Sequence, residues 1–146
     1  YSVYFLRDSN LLDFLLVILI CITTDIGGYI FGTIFKGPKL TKISPNKTYS
    51  GMIGSYLLSI IVFYFFVEKY GSSWIEQNFV KDLMLVLIVF FISSVSQIGD
   101  LIISYFKRLS KIKNTGSLFP GHGGLLDRID GMIFVFPLVF LISKIL

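Results

Sequence analysis

The sequence has 146 residues, of which 54% are hydrophobic and 15% are charged, and its mean hydropathy is +0.79. That balance excludes an ordinary soluble domain and makes the bilayer the expected solvent. The net charge is +4, but the basic residues lie in short loops between apolar stretches, which argues against a nucleic-acid partner. The single cysteine, Cys21, excludes an internal disulfide and a cysteine-based zinc site.

Four apolar stretches follow one another along the chain, at residues 11–35, 51–67, 83–105 and 131–146. Each is long enough, or nearly so, to cross a hydrocarbon core of about 30 Å as a helix, although the last is marginal. We therefore predict an all-α, polytopic integral membrane protein with about four transmembrane helices in this chain.

The loops between these stretches differ in charge. The first and third loops are strongly basic, whereas the second mixes acidic and basic residues. By the positive-inside rule, the first and third loops are cytoplasmic and the second is external. The basic residues are Lys36, Lys39, Lys42 and Lys47 in the first loop, and Lys107, Arg108, Lys111 and Lys113 in the third.

Acidic residues within or beside apolar spans are costly unless they face a partner or a wet cavity. Asp100, Asp127 and Asp130 fall near the predicted cytoplasmic ends, and Asp25 lies deeper in the first span. Asp127 and Asp130 are three residues apart, so on a helix they would share a face and could hold a magnesium ion. The alternative is that they cap the helix or interact with its dipole.

A glycine-rich turn precedes that acidic pair, around His122, Gly123 and Gly124. Glycines let backbone N–H groups approach a ligand ahead of a helix N-terminus, so a phosphate would fit there. The basic residues of this loop suit a polyphosphate but could equally be topology determinants. His122 could carry a proton, contact phosphate or only hydrogen-bond within the loop.

Two further polar groups could line the same site. Ser104 lies four residues after Asp100 and shares its helical face, although it could instead bond back to its own helix. In the first loop, residues 44–48 form an anion-tolerant turn that contains Ser44, Lys47 and Thr48. The glycines at 27, 28, 32, 51 and 54 are spaced as in closely packed membrane helices, although that spacing alone is weak evidence.

The closing part of the chain resembles the signature of phosphatidate cytidylyltransferases, also called CDP-diacylglycerol synthases. One position departs from it, because Asn114 stands where that pattern has Asp. Asn keeps an acceptor oxygen but loses the charge, so cation affinity should fall only if that position is a ligand. The matching residues, in order and spacing, are Ser104, Lys107, Arg108, Lys113, Gly116, Phe119, Pro120, His122, Gly123, Gly124, Leu125, Asp127, Arg128, Ile129 and Asp130.

The resemblance implies condensation of CTP with phosphatidic acid, giving CDP-diacylglycerol and pyrophosphate, with Mg²⁺ and with a second cation left open. It implies that residues 1–146 form one membrane-embedded catalytic domain, the C-terminal portion of a longer chain. It further implies a multi-pass protein of the cell inner membrane, with a cytoplasmic active site, that forms a homodimer.

The resemblance also assigns roles to individual residues. The implied metal ligands are Asp100, Asp127 and Asp130. The implied catalytic residues are Asp100, Lys107, Arg108, His122, Asp127 and Arg128, and the implied substrate-binding residues are Ser44, Lys47, Thr48, Ser104, Lys113, Gly123 and Gly124.

Two other functions are compatible with parts of the sequence. Another CTP-dependent membrane phosphotransferase, such as a polyprenol kinase, would share acidic, basic and glycine elements but would not need the whole closing signature. A transporter or proton channel would place Asp25 and Asp100 along a pathway between both membrane faces. Here the polar residues gather on the predicted cytoplasmic side.

Overall fold

A computed structural model of the chain describes residues 2–9, 11–41, 44, 47–70, 79–110 and 130–145. These residues form five α-helices, which confirms the all-α prediction. Three helices, α2 to α4, are long and apolar enough to cross a membrane, and the fourth apolar helix, α5, is shorter. The helices are α1 (Ser2–Ser9), α2 (Leu11–Phe35), α3 (Tyr49–Tyr70), α4 (Phe79–Leu109) and α5 (Met132–Ile145).

Three differences from the predicted spans stand out, besides short extensions at both ends of α3. The short helix α1 was not among the predictions; it packs on α2 and α5, where the rings of Phe5 and Phe140 meet edge to face at 5.1 Å. Helix α4 is longer than predicted, so Lys107 and Arg108 lie in its last turn and not in a loop. Basic side chains are favourable there because they face the negative end of the helix dipole.

The third difference concerns the start of α5. Asp130 lies in a turn, and the helix itself begins at Met132. The shared helical face predicted for Asp127 and Asp130 therefore does not form at Asp130, and Asp127 lies outside the described residues. The amides of Phe134 and Val135 donate to the Gly131 carbonyl, at 3.2 and 3.3 Å, and these bonds start the helix.

Helices α2 and α3 have the most extensive contact in the bundle, and glycines allow it. A Cβ atom placed on Gly51 would lie 2.6 Å from the carbonyl oxygen of Gly28, and one on Gly27 would lie 2.9 Å from that of Gly54. Two helix backbones that approach so closely leave no room for side chains between them. The predicted close packing of these glycines is confirmed.

The bundle interior changes from apolar to polar along its length. The apolar core lies at one end, between the first half of α2, the second half of α3, the first half of α4 and the first and middle turns of α5. At the other end lie the α2–α3 loop, the last turns of α4 and the start of α5, where the polar side chains gather. The core residues with at most 2% exposure are Leu16, Val17, Ile20, Cys21, Phe63, Val89, Ile92, Val135 and Val139.

A layer of buried hydroxyl groups separates these two ends and ties α2, α3 and α4 together. The Thr24 and Ser93 hydroxyls are 2.6 Å apart, and the Ser59 hydroxyl is 3.5 Å from that of Ser93. Ser55 donates to the Thr24 carbonyl oxygen at 2.7 Å. Hydrogen bonds of this kind stabilise helix contacts in an apolar medium, where unpaired hydroxyls would be costly.

Candidate functional site

A cavity of about 360 Å³ opens in the polar end of the bundle, beyond the hydroxyl layer. Helices α2, α3 and α4, the α2–α3 loop and the turn before α5 all contribute side chains to its wall. The charged residues of the wall are three acids and two lysines: Asp25, Asp100 and Asp130, with Lys47 and Lys107. The structure thus brings acidic groups from separate elements together with basic ones, at the polar end of an otherwise apolar bundle.

The α2–α3 loop holds Lys47 through backbone hydrogen bonds. The amide of Leu40 donates to the Lys47 carbonyl at 2.8 Å, and the amide of Lys47 donates to the Ser44 carbonyl at 3.1 Å. Thr48 then caps helix α3, because its hydroxyl accepts a hydrogen bond from the Gly51 amide at 3.1 Å. Ser44, Lys47 and Thr48 all line the cavity, and Thr48 also has this structural role.

Lys47 contacts Asp100, one of the acidic residues that the sequence singled out. Its Nζ atom lies 3.3 Å from Oδ2 of Asp100 and 3.4 Å from the Gln97 carbonyl oxygen. The Asp25 side chain interacts with that of Asp100 in the same cavity. Asp25 and Asp100 come from α2 and α4, so Lys47 compensates negative charge that two helices bring together.

The second ion pair is tighter and more buried. Lys107 Nζ lies 2.7 Å from Oδ2 of Asp130, with side-chain exposures of 13% and 8%. Glycines again permit the approach, since a Cβ atom on Gly131 would lie 2.9 Å from the Ser96 carbonyl and 3.0 Å from Oδ1 of Asp100. The turn before α5 therefore lies directly against α4, and the carboxylates of Asp100 and Asp130 share one wall of the cavity.

The other predicted site residues divide into two groups. Ser104 lines the cavity as its helical face predicts, whereas Arg108 is exposed and is not among the lining residues. Successive helical residues point about 100° apart, so Lys107 can face the cavity while Arg108 faces away from it. The remaining predicted residues lie outside the described part of the chain: Lys113, Asn114, His122, Gly123, Gly124, Asp127 and Arg128.

The sequence predictions left two cavity residues without a role. Asp25 was marked only as an acid deep in a span, yet it lies beside Asp100. Gln97 receives no role from the sequence, yet it lines the same cavity. The signal for both was the cost of placing a polar side chain in an apolar helix, which predicts a wet or paired environment.

The described residues do not contain a ready-made metal centre of three or more His, Cys, Asp or Glu side chains. Asp100 and Asp130 nevertheless offer hard carboxylate oxygens on one wall. Mg²⁺ commonly binds to one or two carboxylates and completes its coordination with waters and substrate phosphates. The donor set therefore fits a magnesium ion that is shared with a phosphate ligand.

The chain is similar to known enzymes over nearly its whole length. Residues 2–146 match the model of the cytidylyltransferase family. Proteins named phosphatidate cytidylyltransferase from Staphylococcus haemolyticus and Staphylococcus epidermidis are each 40% identical over 140 residues, which cover 93% of this chain. One from Staphylococcus aureus is 39% identical over the same share. The chain spans about half the length of these relatives, 50% in each case.

Proposed function

Because the chain belongs to the cytidylyltransferase family, we propose that the protein transfers the cytidylyl group of CTP to phosphatidic acid. The products are CDP-diacylglycerol and pyrophosphate. The Staphylococcus relatives bear the name of this activity. The supporting observation is the convergence of Asp25, Asp100, Asp130, Lys47 and Lys107 on one cavity at the polar end of a membrane-spanning bundle.

The proposed reaction needs alignment and charge compensation more than a protein nucleophile. A phosphate oxygen of the lipid attacks the α-phosphorus of CTP, and the bond from that phosphorus to the oxygen bridging to the β-phosphorus breaks. Pyrophosphate leaves with the electron pair of that bond. Two anions must therefore approach each other, and the departing group carries growing negative charge.

The lysines of the cavity suit this task. Lys47 and Lys107 each place an ammonium group on a cavity wall, within reach of an acid. A polyphosphate offers those ammonium groups further negative oxygens, and a largely buried site strengthens such contacts. Ser44, Thr48 and Ser104 add hydroxyl groups that can donate to phosphate oxygens. We assign Lys113, His122, Arg128 and the Gly123–Gly124 turn to phosphate contact on the resemblance alone, whereas the predicted role of Arg108 is not supported because its side chain faces away from the cavity.

We propose Mg²⁺ as the cofactor, held by Asp100 and Asp127 as the first ligands that the resemblance implies, with Asp130 as a further ligand. When bound, the ion would neutralise negative charge on the triphosphate, and Asp100 and Asp130 would help to hold it through their carboxylate oxygens. The support from the described residues is that both carboxylates lie on one wall, beside a lysine each. Measurement of the metal content of the purified protein would show whether a second cation is bound.

The site is proposed to face the cytoplasm. The α2–α3 loop, with Lys36, Lys39 and Lys47, lies at the cavity end of the bundle, and basic loops remain on the cytoplasmic side of membrane proteins. CTP would then enter from the cytoplasm and the lipid from the inner leaflet. The many exposed apolar side chains of α2, α3 and α4 support contact with lipid. The homodimer remains a proposal that rests on the family resemblance.

Turnover of CTP and phosphatidic acid by the purified full-length protein in detergent micelles tests the proposal. Asp100→Asn and Asp127→Asn should each lose most activity. Asp8→Asn is the matched control that should keep activity, because Asp8 is an exposed residue of α1. Slow alkylation of the buried Cys21 would show that each variant is still folded. A wild-type rate in Asp100→Asn or in Asp127→Asn would remove that carboxylate from the site, and an inactive wild type would overturn the proposed function.

A further inference from the structure

Gln97 is one of the residues that line the cavity, and its side chain carries a buried hydrogen-bond donor that has no acceptor among the described residues. The residue lies on α4, three positions before Asp100 and therefore about 4.5 Å deeper along the helix axis. Its side-chain nitrogen Nε2 is buried and, within the described part of the chain, forms no hydrogen bond. Among the described side chains it is the one buried polar group that lacks a partner.

Such a donor is unusual because buried amide groups are almost always paired, and an unpaired one loses the hydrogen bonds that water would supply. The hydroxyl layer one turn away shows the contrast. There the Thr24, Ser55, Ser59 and Ser93 hydroxyls all have partners. An apolar side chain at position 97 would avoid the cost, so the amide is best explained by an acceptor that arrives with a ligand.

The surroundings of Gln97 indicate which kind of acceptor fits. Lys47 donates to the backbone carbonyl of Gln97 at 3.4 Å, so an ammonium group lies next to this part of α4. The same ammonium pairs with Asp100 at 3.3 Å, so the nearest carboxylate already has a cation. A ligand oxygen that carries negative charge would find a neutral donor and a cation together at this position.

We infer that the side-chain amide of Gln97 donates a hydrogen bond to a phosphoryl oxygen of a bound substrate. This inference rests on the proposed function, in which both substrates, CTP and phosphatidic acid, carry such oxygens. Gln97 is then a substrate-binding residue whose side-chain donor gains its acceptor from the substrate. Its position, one turn deeper than Asp100, favours the lipid phosphate over the nucleotide.

Two substitutions separate this role from a structural one. Gln97→Met keeps the length of the side chain but removes the donor, so substrate affinity should fall about tenfold, as for loss of a hydrogen bond to a charged group. The ligand-free protein should be equally or more stable, because a buried unpaired donor has been removed. Gln97→Glu places an acceptor there and should weaken binding further. A wild-type affinity in Gln97→Glu would show that position 97 does not act as a donor.

The binding measurements use the full-length protein in lipid nanodiscs, with CTP in one arm and short-chain phosphatidic acid in the other. A loss confined to one arm supports the inference and identifies which substrate supplies the oxygen. Unchanged affinity in both arms for Gln97→Met overturns it, as does a fall in the thermal stability of the ligand-free variant. If the wild type binds neither ligand, the proposed function itself fails. That result differs from a failure of the Gln97 inference, in which the wild type and Gln97→Met bind equally well.

Ser94→Ala is the matched control on the same helix. Ser94 lies one turn before Gln97, does not line the cavity, and has a partner, since its hydroxyl is 3.0 Å from that of Tyr56. This substitution should lower thermal stability and leave both substrate affinities unchanged. Gln97→Met should therefore lower substrate affinity without lowering stability, whereas Ser94→Ala should lower stability without changing substrate affinity.

Discussion

The contact between α2 and α3 makes a sharp prediction for Gly51→Ala. The added Cβ atom would lie 2.6 Å from the Gly28 carbonyl oxygen, about 0.8 Å inside ordinary contact at 3.4 Å. The positions of both atoms are fixed by helix backbones, so no side-chain rotation can relieve the overlap. The helices must separate, and the 2.7 Å bond from Ser55 to the Thr24 carbonyl must lengthen with them.

The expected cost is about 2 kcal/mol in the free energy of unfolding. Overpacking of a well-packed contact costs about 1–3 kcal/mol, and a weakened interhelical hydrogen bond adds about 0.6 kcal/mol. Replacing Gly with Ala inside a helix recovers part of this, about 1 kcal/mol at most. A net loss of 2 kcal/mol raises the fraction of open molecules about 30-fold.

Cys21 provides the assay because it is the single cysteine and is buried in α2. Its alkylation by a maleimide requires opening of the bundle, so the rate should rise about 30-fold in Gly51→Ala when opening is in rapid equilibrium. Gly32→Ala is the matched control, since its Cβ atom would meet the Thr48 side-chain oxygen at 3.1 Å and the nearest backbone atom only at 3.8 Å. Equal alkylation rates in the two variants would refute the reasoning.

Three further predictions follow from the polar contacts. Thr24→Val and Ser93→Ala should each lower stability by about 1 kcal/mol, and together by less than the sum, because they remove the same 2.6 Å bond; additive losses in a double-mutant cycle would contradict this. Thr48→Ala should cost about 1 kcal/mol through loss of the α3 cap, with Thr48→Ser near wild type in the alkylation assay. Lys107→Met should cost about 1.5–3 kcal/mol by removing the 2.7 Å charge-assisted hydrogen bond to the buried Asp130, and Lys107→Met combined with Asp130→Asn should recover part of that loss in thermal unfolding.

Much of the fold could be predicted because it depends on local properties of the chain. Hydropathy over about 20 residues reports the transfer of a helix into lipid, so the helix α2 was predicted with its observed bounds, Leu11–Phe35. Helix α4 extended beyond its predicted span because hydrogen bonding continues past the apolar residues. Helix α1 was missed because eight residues with mixed polarity carry no such signal.

The candidate site could be predicted only in part, for a similar reason. Polar residues in apolar spans are visible in the sequence, and they led to Asp100 and Ser104, which line the cavity as expected. Their partners depend on helix packing: Lys47 pairs with Asp100 across 53 residues of sequence. Lys107 and Arg108 are adjacent and alike in charge, yet only helix rotation decides that Lys107 faces the cavity.

The amino-acid sequence by itself therefore determined that the chain crosses a membrane, which residues are too polar for lipid, and which enzyme family its closing segment resembles. Tertiary structure alone decided that Asp25 lies beside Asp100, that hydroxyls from three helices form one layer, and that the Gln97 donor has no acceptor among the described residues. The physical reason is distance: burial in lipid is set by each segment alone, whereas charge pairing and hydrogen bonding act over a few ångströms between segments far apart in the chain.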